Sequence, residues 1–147
     1  LGSYPLLPII KLLGTTYNRL SLYSRMKNGV DMYTNGIVHY DKAICSFKVG
    51  LGVKTEGNLV ISGTKGYAYV PAPWWKTDFF ELRYENQNDN KKFFYKWDGA
   101  GLRYEIQEFI SSIVNHRHSS ARLRIQESIC MAEIMQQFTE RRNFIEI

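Results

Sequence analysis

The most unusual phrase in this chain is YVPAPWWKTDFFELRYE at residues 69–85, where Pro71 and Pro73 restrain the backbone just ahead of Trp74, Trp75 and Lys76. A tryptophan pair on a restrained lip can stack on a sugar ring or a nucleobase, and it can equally cap a sheet edge against neighbouring loops. The three residues are therefore substrate-binding candidates with a packing alternative. His116 and His118 flank Arg117, but two imidazoles without a nearby carboxylate or thiolate fall short of a metal ligand set. A solvated loop is the reading there, and no metal is expected. Arg117, Arg122 and Arg124 could meet a phosphate or serve as helix ends. The GTKG stretch at 63–66 lacks the spacing of a phosphate cradle and reads as a tight turn. No G-x-G-x-x-G follows a strand, and there is no G-x-x-x-x-G-K-[ST], H-E-x-x-H or paired C-x-x-C. The residues present carry no cofactor-binding motif. Tyr4, a lone phenol ahead of an apolar run, completes the set.

These side chains need elements to hold them. Leu6, Leu7, Ile9, Ile10, Leu12 and Leu13 make a broad apolar helix face, with Pro5 tolerable in a first turn and Gly14 as a stop. From Tyr17 to about Trp97 the period becomes two. Ala43, Cys45, Phe47, Val49, Leu51 and Val53 alternate with Ile44, Ser46, Lys48, Gly50, Gly52 and Lys54, which predicts a strand apolar on one face. Asp41-Lys42 turns the chain into that strand, and Glu56-Gly57-Asn58 is predicted to turn it back toward residues 59–62. The polar run NQNDN at 86–90 predicts a hairpin between Phe80, Leu82, Tyr84 and Phe93, Tyr95, Trp97. From Leu102 the period is helical again, with Leu102, Ile106, Phe109, Ile110, Ile113 and Val114 on one side and Glu105, Gln107 and Glu108 pointing away. A last helix carries Ile125, Ile129, Ala132, Met135 and Phe138. This order predicts an α+β fold, a largely antiparallel open sheet with helices packed on one face.

Val38, Ile44, Phe79 and Phe94 are then expected on the sheet's second face, too apolar for water and too mixed for a sealed core. A partner surface is the expectation, filled by a second copy in a homodimer.

Composition bounds the rest. With 147 residues, 44% of them hydrophobic, the chain can bury one substantial core, so residues 1–147 are expected to form a single domain. No apolar run approaches the ~18 residues of a membrane span, and no secretory signal pattern is seen. The formal charge of +5 is scattered along the chain, and the aromatics fall on strand alternations, so neither a membrane nor a nucleic-acid partner is expected. Cys45 and Cys130 are too few and too far apart for a disulfide scaffold, which fits a reducing cytoplasm.

Three phrases, ISGTKGYAYVP at 61–71, GLRYEIQEFISSI at 101–113 and ESICMAEIMQQF at 127–138, in order and suitably spaced, resemble the C-terminal domain of the glucose-fructose oxidoreductase, inositol dehydrogenase and rhizopine-catabolism (Gfo/Idh/MocA) family. The resemblance implies an oxidoreductase in which an N-terminal Rossmann domain binds NAD or NADP, while this domain shapes the site for a small-molecule substrate and the oligomer. The substrate would be a sugar, a cyclitol, a nucleotide sugar or a close relative. In that family a D-[IL]-G-x-[YH] motif opens the first helix, and LGSY at 1–4 fits it from its second position. The chain is thus expected to be a domain cut from a longer enzyme just before its first helix, with no Rossmann domain and no bound cofactor of its own. Tyr4 would stand where the dihydrodiol-dehydrogenase-like branch has its catalytic tyrosine, its phenol made more acidic by the lysine of an E-K-P motif upstream. The alternative is a non-catalytic module that holds a small ligand or assembles with a partner chain.

Overall fold

Helix α1 (Ser3–Leu13) forms where the sequence places its apolar face: Leu6, Ile9 and Ile10 are buried, and Pro8 sits inside the helix, where it withholds one backbone bond. Gly14, at φ +89°, ends it and gives its N–H to the Ile10 carbonyl at 2.9 Å. The computed structural model describes residues 2–99 and 101–147, so Leu1, which opens the LGSY phrase, and Ala100 lie outside it.

Three strands follow from alternation, β1 (Arg19–Lys27), β2 (Val30–His39) and β3 (Ile44–Gly50), and a short β8 (Phe144–Glu146) near the C-terminus joins them without a period-two signal of its own. They form one sheet in the order β3-β2-β1-β8, antiparallel except for the parallel β1–β8 pair. A second sheet has the order β4-β5-β6-β7, built from β4 (Leu59–Ser62), β5 (Gly66–Val70), β6 (Phe79–Tyr84) and β7 (Lys91–Phe94), all antiparallel. Helices α2 (Leu102–Val114) and α3 (Ile125–Thr139) fall where the helical period places them. The fold is α+β.

The chain forms two compact units. One contains the segment up to Lys54 together with Phe109–Ile147, and the other is Thr55–Glu108. In the first, α1 and α3 cover one face of the β3-β2-β1-β8 sheet, and the core is Leu6, Ile10, Leu20, Leu22, Val38, Cys130 and Ile134. Phe47 on β3 pairs with Gly36 on β2 and lies across it: a Cβ at position 36 would come within 2.2 Å of the ring. Ser24 and Thr34 are buried on this face and bond each other at 2.8 Å, which satisfies both hydroxyls.

Three expectations need correction. Phe79 and Phe94 pair with each other in the β4-β5-β6-β7 sheet and share no face with Ile44, and Val38 is not on the second face either. It is wholly buried, because the register pairs Val38 with Cys45 toward the helices and leaves His39 and Ile44 facing out. Ile44 is 70% exposed, as expected of an outer-face residue. The strand expected to run to Val53 stops at Gly50, where Leu51 and Gly52 both donate to the Met32 carbonyl, and Glu56–Asn58 leads into the other sheet without pairing β4 to β3. The apolar side of α2 is exposed instead of forming core.

Candidate functional site

The exposed face of α1 holds Tyr4, 52% exposed, opposite the buried Leu6, Ile9 and Ile10. Lys11, two turns along, donates from Nζ to both carboxylate oxygens of Glu127 at 3.0 Å and to the Arg122 carbonyl at 2.8 Å. That cation is committed to α3. It fixes the helix that carries Tyr4. Glu127 also accepts the Arg124 N–H at 2.8 Å, capping the first turn of α3. The Arg124 N–H, with Lys11 beside it, holds the Glu127 carboxyl below its ordinary value.

Trp74, Trp75 and Lys76 come together on the connection from β5 to β6 in the second unit. Trp74 gives its N–H to the Gly57 carbonyl at 2.8 Å, and Lys76 gives its own to Pro73 at 2.9 Å. The two indoles meet edge to face at 6.0 Å. Gly57 lets Trp75 lie close, since a Cβ there would stand 3.1 Å from its ring. Trp75 remains about half exposed and Lys76 is exposed, so the lip can meet a ligand. Tyr4 and this lip belong to different units.

The GTKG stretch is the expected tight turn: Gly63 donates to the Gly66 carbonyl at 2.8 Å and joins β4 to β5. A Cβ on Gly66 would fall 2.4 Å from the Arg83 carbonyl, so the spacing of the strands requires glycine there. Because this turn joins two strands and opens no helix, it does not make a dinucleotide cradle.

Sequence reasoning missed a charged ribbon on the second sheet. Arg83 bonds Glu81 at 2.7 Å and lies over the Tyr69 ring at 4.4 Å; Lys92 reaches Glu81 at 3.6 Å and lies over Phe79 at 3.6 Å. The Arg83 hydrogen bond, with Lys92 adding to it, keeps the Glu81 carboxyl below its ordinary range. The signal was present: Glu81 and Arg83 share a face at period two, opposite Tyr69 and Tyr67 on β5. A cleft of about 670 Å³ beside the ribbon is lined by Lys65, Tyr67, Arg83 and Gln87. His116 ends α2 at φ +51°, its N–H bonded to the Ile113 carbonyl. Among the described residues no three of His, Cys, Asp and Glu converge on a metal-sized site.

No family model matches the sequence. Trans-1,2-dihydrobenzene-1,2-diol dehydrogenase of Oryctolagus cuniculus is 27% identical over 120 residues, covering 77% of this chain and 36% of that enzyme. A 3-ketoreductase from Actinomadura kijaniata, crystallised with NADP and TDP-benzene, superposes on all of this chain and on 45% of its own, with a TM-score of 0.78 at 12% identity. The chain has the fold of the C-terminal domain of Gfo/Idh/MocA-type oxidoreductases.

YvaA of Bacillus subtilis, assigned as an oxidoreductase, matches 97% of the chain and 50% of its own length, with a TM-score of 0.65 at 15% identity. The chain therefore spans half or less of the length of the proteins it matches. The 3-ketoreductase is also known in forms with a tyrosine changed to phenylalanine and with a lysine changed to alanine, each with the same two ligands.

Proposed function

We propose that this chain is the substrate-shaping and oligomerisation domain of an NAD(P)-dependent oxidoreductase that acts on a sugar, cyclitol or nucleotide sugar. Likeness along the whole chain to part of an NADP-bound 3-ketoreductase carries this reading. The cofactor, NAD or NADP, is assigned to a Rossmann half of the parent, since the one glycine turn of the GTKG type here joins two strands.

Interconversion of a hydroxyl and a carbonyl group requires a proton to leave or join the oxygen. Tyr4 is the residue of this chain assigned to that task. Its phenol gives its proton to the substrate oxygen in reduction and takes it back in oxidation; a lysine of the other half, close by, stabilises the phenolate. The exposure of Tyr4 on α1 leaves it open to such a neighbour. A tyrosine and a lysine are also the residue types altered in the 3-ketoreductase. Trp74 and Trp75 offer ring faces for the substrate, and Lys76 a charge for an anionic group on it.

A second copy is assigned to the outer face of the β3-β2-β1-β8 sheet, where Ile44 and Ile145 are exposed beside Tyr23, Ile37 and His39. Cys45 and Cys130 are free thiols, in keeping with a reducing compartment such as the cytoplasm.

The test is Tyr4→Phe in the parent enzyme, which removes the hydroxyl and keeps the ring. The single-turnover rate is expected to fall roughly 10²-fold or more, with melting temperature and cofactor affinity unchanged. An unchanged single-turnover rate would return Tyr4 to an ordinary helix-entry aromatic.

A further inference from the structure

Helix α2 is inside out for a protein that ends at its own surface. Its sequence segregates sharply at about 100° per residue: Leu102, Ile106, Phe109, Ile110, Ile113 and Val114 lie on one arc, and Tyr104, Glu108, Ser111 and Ser112 on the opposite one. The polar arc is the covered one. Ser112 is buried, and Tyr104, Glu108 and Ser111 are partly so. The apolar arc meets solvent, with Leu102 at 62%, Phe109 at 66%, Ile113 at 58% and Val114 at 69% exposure. Isolated exposed leucines need no explanation, but six large apolar side chains in one continuous stripe mark an interaction surface.

We propose that this stripe is the seat of the parent's dinucleotide-binding half, an inference that rests on the functional reading above. Two observations choose this occupant. The proteins this chain resembles have half or more of their length outside the matched part, so a partner of comparable size is tethered in each of them. The stripe is also small. One face of a 13-residue helix measures about 20 Å by 10 Å, well short of the ~800 Å² per partner that a free-standing dimer needs. A tethered domain has no such requirement, because the link sets a high effective concentration. An apolar stripe of this kind suits a cover that is always present.

Placing a photocrosslinking residue at Ile110 in the full-length parent tests the assignment, with the site of attachment mapped by mass spectrometry and binding of NADPH and of NADH measured on the same preparation. Crosslinks within one chain, to residues of the dinucleotide-binding half, are expected. Crosslinks between two copies, or none to the upstream half, would overturn it. If such a parent binds NADPH or NADH saturably, the functional reading survives and only the seat is wrong; if it binds neither, the functional reading itself has failed. In a second arm, Ile110→Asp should speed proteolytic separation of the two halves roughly 10-fold or more, whereas Glu105→Gln, on the flank, should not. Equal rates for both variants would count against the seat.

Discussion

Glu127 shows how much a single side chain does in the helix layer. Its carboxylate caps α3 through the Arg124 N–H and ties α1 to α3 through Lys11, and the two contacts lower its pKa in the folded state. A carboxyl with a depressed folded value stabilises the fold above its unfolded pKa, near 4.5, and loses that contribution as pH falls through the lower folded value. Stability should therefore decline in acid below about pH 4.5, and Glu127→Gln should flatten that decline in urea titrations run from pH 7 to pH 3. An identical acid slope in the variant would assign the decline to other carboxyls. At the alkaline end, burial beside Cys130, Cys45 and Tyr17 pushes the Tyr40 phenol up to about 12, and its hydroxyl donates to the Gly14 carbonyl at 3.0 Å. A raised value stabilises the fold below pH 10, and that contribution is lost as pH rises toward 12. Neither role was legible in sequence, because each depends on contacts between residues far apart in the chain. Tyr4 became a candidate only through the family phrase LGSY, since a lone exposed aromatic carries no signal of its own.

Among the elements, alternation and helical period revealed existence and kind but not pairing. The Gly63–Gly66 turn, the 86–90 hairpin and all three helices stand where residue type and spacing place them. The β1–β2 hairpin turns at Asn28-Gly29, with φ of +52° and +78°, a two-residue turn signal that was present and went unread. The division into two sheets was not legible, because period two tells which residues share a face and not which strand lies beside another. Val38 shows the cost. It reads equally well on either face until its pairing with Cys45 is known. The same holds for α2, whose apolar arc is clear in sequence while its outward orientation is not. Register also supports a stability prediction. Gly36→Ala pushes a methyl group into the Phe47 ring, so it should cost about 1–3 kcal/mol in chemical denaturation, the usual range for overpacking. No loss of stability would mean that the ring is free to move aside.

Among the described residues, the outer face around Ile44 and the stripe on α2 are apolar and exposed, and each is proposed as a partner surface. The first is assigned to a second copy. Light scattering of the parent should give about twice its chain mass, and Ile44→Asp should shift the mass toward monomer; a parent that stays monomeric at high concentration would contradict the pairing. The central claim, that this chain shapes the substrate site while another part of the parent holds the cofactor, is tested most directly by calorimetric titration of NADPH and NADH into the parent and into residues 1–147 alone. The account predicts saturable one-site binding of at least one of the two to the parent and no measurable heat of binding to the shorter chain. Saturable binding by residues 1–147 alone, or no binding of either nucleotide by the parent, would contradict it.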